Sequence, residues 1–144
     1  MSYLVDGEVA LWRRMNNPDR RHAIGVARQV VATLGEDAAR PVVAAALLHD
    51  VGKIESGFRT PARVVATVVW TVVPPERAFA WRASSGVRRR LAEYVLHPEL
   101  GEELLAAAGA DVLTSTWAAD HHRSRRDWRL DPVIGDVLKA CDDD

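Results

Sequence analysis

Five histidines stand at positions 22, 49, 97, 121 and 122, and the second is followed at once by a carboxylate, Asp50. Imidazole is the commonest protein ligand for a metal ion, and imidazoles gathered with carboxylates suit iron, manganese, zinc or similar divalent ions. A single histidine on an apolar helix face is more often a core residue satisfied by a backbone carbonyl. Here His22, His49, His97 and His121 all align with the apolar face of their own segment or sit at its mouth, and His122 adjoins the last of them. A shared metal centre is the reading that accounts for all five. Asp142 adds a second carboxylate, because helical periodicity puts it on one face with Ile134, Leu138 and Cys141, opposite Asp136, Lys139 and Asp143. A cation near Asp142 would also offset the cost of aspartates at the negative end of a helix.

The elements that must position these residues read as helices, since alternation of apolar and polar residues is nearly absent and glycine and proline fall between periodic segments. Val42 to Lys53 is the organising stretch, seven apolar residues running directly into His-Asp-Val-Gly-Lys. Pro41 suits a first helical turn and Gly52 the position just past an end, so the stretch is expected to be one short, buried helix delivering His49 and Asp50 to the interior. A buried carboxylate without a partner costs several kcal/mol, which requires something to receive Asp50 there. Before it, one helix is expected over about Val5 to Met15 and a second from a cap at Asp19 to Gly35, with His22, Val26 and Val30 on one face. After it come a loop from Ile54 to Thr60 and a valine-rich helix from Pro61 to Val73. A short helical piece then leads from Pro74-Pro75 to Ser84-Ser85-Gly86, and a further helix runs from Val87 to Leu96. His97 precedes Pro98 and is expected at a junction or N-cap. Leu100, Leu104 and Ala108 form the next stripe, Asp111 caps a helix carrying Leu113, Trp117 and His121, and a polar loop from Arg123 to Asp131 leads to the last helix from Pro132.

Length and charge limit the possibilities further. A chain of 144 residues without repeat or linker is expected to be one domain, all-α, burying about two thirds of its unfolded surface. The net charge of −1, from 19 basic and 20 acidic residues, gives no global field to recruit nucleic acid or anionic membrane. The longest apolar run, Val64 to Val73, is about half of what a bilayer requires. One cysteine, Cys141, excludes an internal disulfide, and the N-terminus lacks a signal-peptide pattern, which together point to the reducing cytoplasm. Seventeen arginines stand against two lysines, as in a GC-rich genome, which makes Lys53 in the organising stretch conspicuous.

The order His22, His49-Asp50 with Val51-Gly52-Lys53, His97-Pro98-Glu99-Leu100-Gly101, His121-His122, Asp142 resembles the HD superfamily of metal-dependent phosphohydrolases, over residues 20 to 142. It is most similar to the two-metal branch of cyclic-dinucleotide phosphodiesterases. The resemblance implies an HD-type bundle of about seven to nine helices around the site. It also implies metal ligation by His22, His49, Asp50, His97, His121, His122 and Asp142, at a mono- or dinuclear site of iron, manganese or another transition metal, with Asp50 bridging where two ions are held. The Gly-Tyr-Pro signature of that branch is replaced by Arg123-Ser124-Arg125-Arg126-Asp127-Trp128, which argues against a cyclic dinucleotide. Pro18 stands where some members carry a glutamate for a third metal.

The expected reaction is hydrolysis of a phosphomonoester or phosphodiester in a small nucleotide or other phosphorylated metabolite. Two ions about 3.5 to 4 Å apart activate water and clamp phosphate oxygens during in-line attack. Lys53, one turn past Asp50, would reach a substrate phosphate, and Arg123 and Arg126, with Arg20, Arg21 and Arg125, would rim the pocket. Two other readings remain open: a non-catalytic metal- or nucleotide-binding module, and a di-iron oxygenase resembling myo-inositol oxygenase. Iron content with oxygen uptake separates the last from a hydrolase.

Overall fold

The computed structural model describes residues 3–56, 75–83, 85–86, 89, 92–93 and 96–143. The helix expected over Pro61 to Val73, most of that over Val87 to Leu96, and the loop residues 57–60 lie outside them. Every regular element among the described residues is helical: α1 (Asp6–Arg14), α2 (Asn17–Leu34), α3 (Arg40–Leu48), α4 (Lys53–Ser56), α5 (Pro75–Trp81), α6 (His97–Ala107), α7 (Val112–Asp120) and α8 (Pro132–Asp143), with 3-10 turns at Gly35–Asp37 and Arg125–Asp127. The all-α expectation holds. None of these helices is long and apolar enough to cross a membrane.

Local chemistry sets the boundaries. The cap of α2 is Asn16 rather than Asp19: Asn16 Oδ1 accepts from the Asp19 backbone N–H at 2.9 Å, and Asn16 Nδ2 donates to Asp19 Oδ2 at 2.8 Å. Reciprocal bonds of this kind satisfy two polar groups at once and move the helix start upstream of Pro18, which sits in its first turn. Gly35, at φ 55°, ends the helix. Asp111 caps α7 as expected, accepting from Leu113 N–H at 2.9 Å.

The organising stretch departs from expectation. It is not one helix through Lys53, because α3 stops at Leu48 and the chain tightens into three-residue turns, with Val51 N–H on Leu48 O at 3.0 Å and Lys53 N–H on Asp50 O at 3.0 Å. Lys53 then begins α4, so residues 54–56 are helical where a loop was expected. Gly52 is not a left-handed cap. A Cβ there would lie 1.8 Å from the His97 carbonyl oxygen and 2.8 Å from Gly101 N, so it is a glycine because two backbones meet at that point.

α3 is apolar on nearly every side and lies between α2, α7 and α8. Val30, Val43, Trp117 and Leu138 close one core around it, and Leu11, Leu48, Val51, Leu105 and Ala118 close a second toward α1 and α6. Each such fully buried aliphatic side chain contributes about 1.5–3 kcal/mol. On α6 the buried stripe is Leu100 and Leu105, with Leu104 only half-buried. Away from the site, α1 is fastened by a buried Glu8, whose Oε2 accepts from Val5 N–H at 2.8 Å and from Arg40 Nη1 at 3.1 Å.

Candidate metal centre

The ends of five helices converge. His22 comes from the second turn of α2, His49 and Asp50 from the turn closing α3, and His97 from the first residue of α6. His121 and His122 come from the turn closing α7, and Asp142 from the last turn of α8. His97 is the first helical residue rather than the cap, which is Leu96.

The seven residues form two sets in which one ligand atom from each member lies within 4.8 Å of the others: Asp50, His97, His121 and His122, and His22, His49 and Asp142. In the first set, Asp50 Oδ1 is 3.6 Å from His97 Nε2 and 3.6 Å from His121 Nε2, and His122 Nε2 is 3.3 Å from His97 Nε2. In the second, Asp142 Oδ1 is 2.9 Å from His22 Nε2 and 3.3 Å from His49 Nε2. His49 Nε2 is also 3.6 Å from Asp50 Oδ2, so Asp50 turns one oxygen toward each set.

These spacings suit a cation better than they suit hydrogen bonds. A separation of 3.6 Å is too long for a hydrogen bond, and Asp50 Oδ1 and His121 Nε2 are buried without a hydrogen-bond partner among the described residues. Leaving such atoms unpaired costs about 1–3 kcal/mol each. Donor atoms about 2.1 Å from one ion lie about 3.0 Å apart at right angles and about 3.4 Å apart at the tetrahedral angle, close to what is seen. The tautomers agree as well. His49 Nδ1 donates to Ala46 O at 2.9 Å and His121 Nδ1 to Ala118 O at 2.9 Å, which leaves each Nε2 lone pair facing its set.

Electrostatics favour the metal-binding form of three of these groups. Burial pushes the Asp50 carboxyl up, but His49, His121, His97 and the Lys53 ammonium together hold it well below the usual carboxylate range. Burial lowers His121 to about 4, only partly offset by Asp50. Burial, then His121 and His97, lowers His122 to about 2. Both rings are therefore neutral near pH 7, as a metal ligand must be.

Two of the five histidines are less enclosed than expected: the His22 side chain is 48% exposed, and His122 reaches solvent although its ring packs against His97 and His121 and is partly buried there. Lys53 Nζ donates to Asp50 Oδ2, placing the ammonium beside the ligands. Arg123 stands 3.4 Å from Asp120 and 3.7 Å from Glu99, and Arg126 is a surface residue 3.5 Å from Asp127. Trp117 is core, and Trp128 packs edge-on against it at 5.4 Å, its Nε1 donating to Arg123 O at 3.1 Å. Sequence reading missed Asp120, fully buried beside the paired histidines, and its partner Arg129. The signal was an acid in the last turn of a helix, where the dipole disfavours it. Comparison with protein-family models, curated proteins and solved structures finds no match.

Proposed function

We propose that the chain is a metal-dependent phosphohydrolase of the HD superfamily, hydrolysing a small nucleotide or other phosphorylated metabolite with the help of two divalent ions, iron or manganese. The observation that carries this reading is Asp50. It is a buried carboxylate of the first set whose Oδ1 faces His97 and His121 and whose Oδ2 lies 3.6 Å from His49 of the second, where it could bridge two ions. The donors are oxygen and imidazole nitrogen throughout, a mixture that suits iron or manganese. When bound, two such ions supply activation of water near neutral pH and electrostatic stabilisation of a phosphate under attack.

The protein's own groups do the rest. Asp50 sets the separation of the two sets, and the Ala46 and Ala118 carbonyls fix the His49 and His121 rings so that loading requires no tautomer change. Lys53 Nζ, held at the edge of the centre by Asp50, would add positive charge beside a substrate phosphate bound there. Arg123 contributes charge at the rim but shares it with Asp120 and Glu99, so its part is smaller.

The test pairs metal analysis with turnover. Protein purified with and without oxygen is analysed for Fe and Mn, then assayed against nucleoside mono- and diphosphates, cyclic nucleotides and sugar phosphates. Two equivalents of metal and phosphate-ester cleavage lost in Asp50→Asn are expected, with Lys53→Ala raising KM or lowering kcat about tenfold or more. Cleavage at the wild-type rate in Asp50→Asn would sink the reading. Metal uptake with no cleavage of any ester would favour a non-catalytic module, and iron-dependent oxygen uptake would favour the oxygenase.

A further inference from the structure

Asp120 is the last residue of α7, immediately before His121 and His122, and none of its surface reaches solvent. A carboxylate there has lost its hydration and faces the negative end of the helix dipole, so it persists only with strong partners. Arg129 is that partner. Its backbone N–H donates to Asp120 Oδ2 at 2.7 Å, its Nε to Oδ1 at 3.0 Å and its Nη2 to Oδ1 at 2.9 Å. Outward, the same guanidinium makes paired bonds to Glu102 of α6 at 3.0 and 3.1 Å. One arginine thus ties the end of α7, the loop that follows and the helix that begins at His97.

Neighbouring residues of a helix point about 100° apart, so a helix that simply continued could not present His121 and His122 to one centre. Here α7 ends at Asp120 and the chain turns, with Arg123 N–H on Asp120 O at 2.8 Å. That turn brings the two imidazole centroids within 3.8 Å and carries His122 Nε2 to 3.3 Å from His97 Nε2. We infer that Asp120 and Arg129 are positioning residues of the buried ligand set: their clamp fixes the direction in which the chain leaves α7, and so where His122 stands relative to His97. The inference rests on the metal-centre reading above. A second bidentate pair, Arg125 with Asp136 at 2.7 and 2.8 Å, engages at the exposed surface the guanidinium expected at the pocket rim, ties the same loop to α8 and serves as a control for metal binding.

The test is Mn(II) titration of the full chain, followed by calorimetry and electron paramagnetic resonance, with circular dichroism of the metal-free protein. The wild type is expected to bind two equivalents. In Asp120→Asn and Arg129→Gln one equivalent is expected to weaken about 10- to 100-fold while the other keeps its affinity, and Arg125→Ala is expected to retain both. A clamp that merely stabilised the fold would weaken both equivalents together with the melting temperature, which would overturn the inference. Two unchanged equivalents in both clamp variants would overturn it while leaving the metal centre standing. No uptake by the wild type would remove the reading beneath it. Should Asp120→Asn not fold, Arg129→Gln, altered on a side chain 45% exposed, decides the question.

Discussion

His97 and His22 are both imidazoles aimed at neighbouring carboxylates, yet the first shows no surface to solvent and the second is 48% exposed. The same contrast runs through most of their sets, exposed His122 and buried His49 being the exceptions. Asp50, His97 and His121 are buried where the ends of α3, α6 and α7 pack together, whereas the His22 and Asp142 side chains come from the outer helices α2 and α8. Packing therefore holds one half of the centre whether or not an ion is present, while the other half depends more on what it binds. Regions with fewer buried contacts open at lower free energy. The buried set is the scaffold of the site and the open set its adjustable side.

Four measurements break or sharpen that contrast. Gly52→Ala should do most damage, because its Cβ would meet the His97 carbonyl oxygen at 1.8 Å and no flexible group can yield. A loss of about 3 kcal/mol or more by urea unfolding is expected, together with loss of metal from the buried set. If stability were unchanged, backbone contact would not be what holds that set. Next, His97→Ala should cost the metal-free protein about 2–3 kcal/mol as a cavity in the core, and His22→Ala under about 1 kcal/mol. Equal costs would erase the distinction between the halves. Third, with free Mn(II) at about ten times Kd, chelation should lower stability by about 1.4 kcal/mol per occupied site, seen as a drop in Tm. His22→Ala should keep the part of that drop due to the buried set, and His97→Ala should lose it. Last, Arg125→Ala should leave Tm within scatter, since its pair with Asp136 is fully in solvent.

The order of the seven candidate ligands, and for most of them the helix that carries them, was legible because residues that can ligate are scarce and helical periodicity marks an inward face. Asp142 is the clearest instance: a one-residue change of phase would have pointed it outward with Asp143, and the side chain is only 12% exposed. The end of α3 was not legible, since the run Val42 to Lys53 contains no breaker before Gly52. The three-residue turns there arise from the approach of α6, a contact between segments about fifty residues apart in sequence. His22 likewise read as inward because it shares a stripe with Val26 and Val30, yet its side chain is 48% exposed while Val26 and Val30 are buried. The Asp120–Arg129 clamp was hidden differently. Both residues look like ordinary surface charges until a nine-residue loop closes and puts one against the other.

The meeting of Gly52 with the His97 carbonyl also bears on how such a chain can change over generations. Where peptide lies against peptide, spacing does not depend on which side chains line the surrounding walls. The apolar residues of α3 and α6 can therefore drift among valine, leucine and alanine while Asp50 and His97 keep their separation. The freedom is concentrated everywhere except at one codon. Any replacement at position 52 acts as a wedge that parts the two segments together with the ligands they carry.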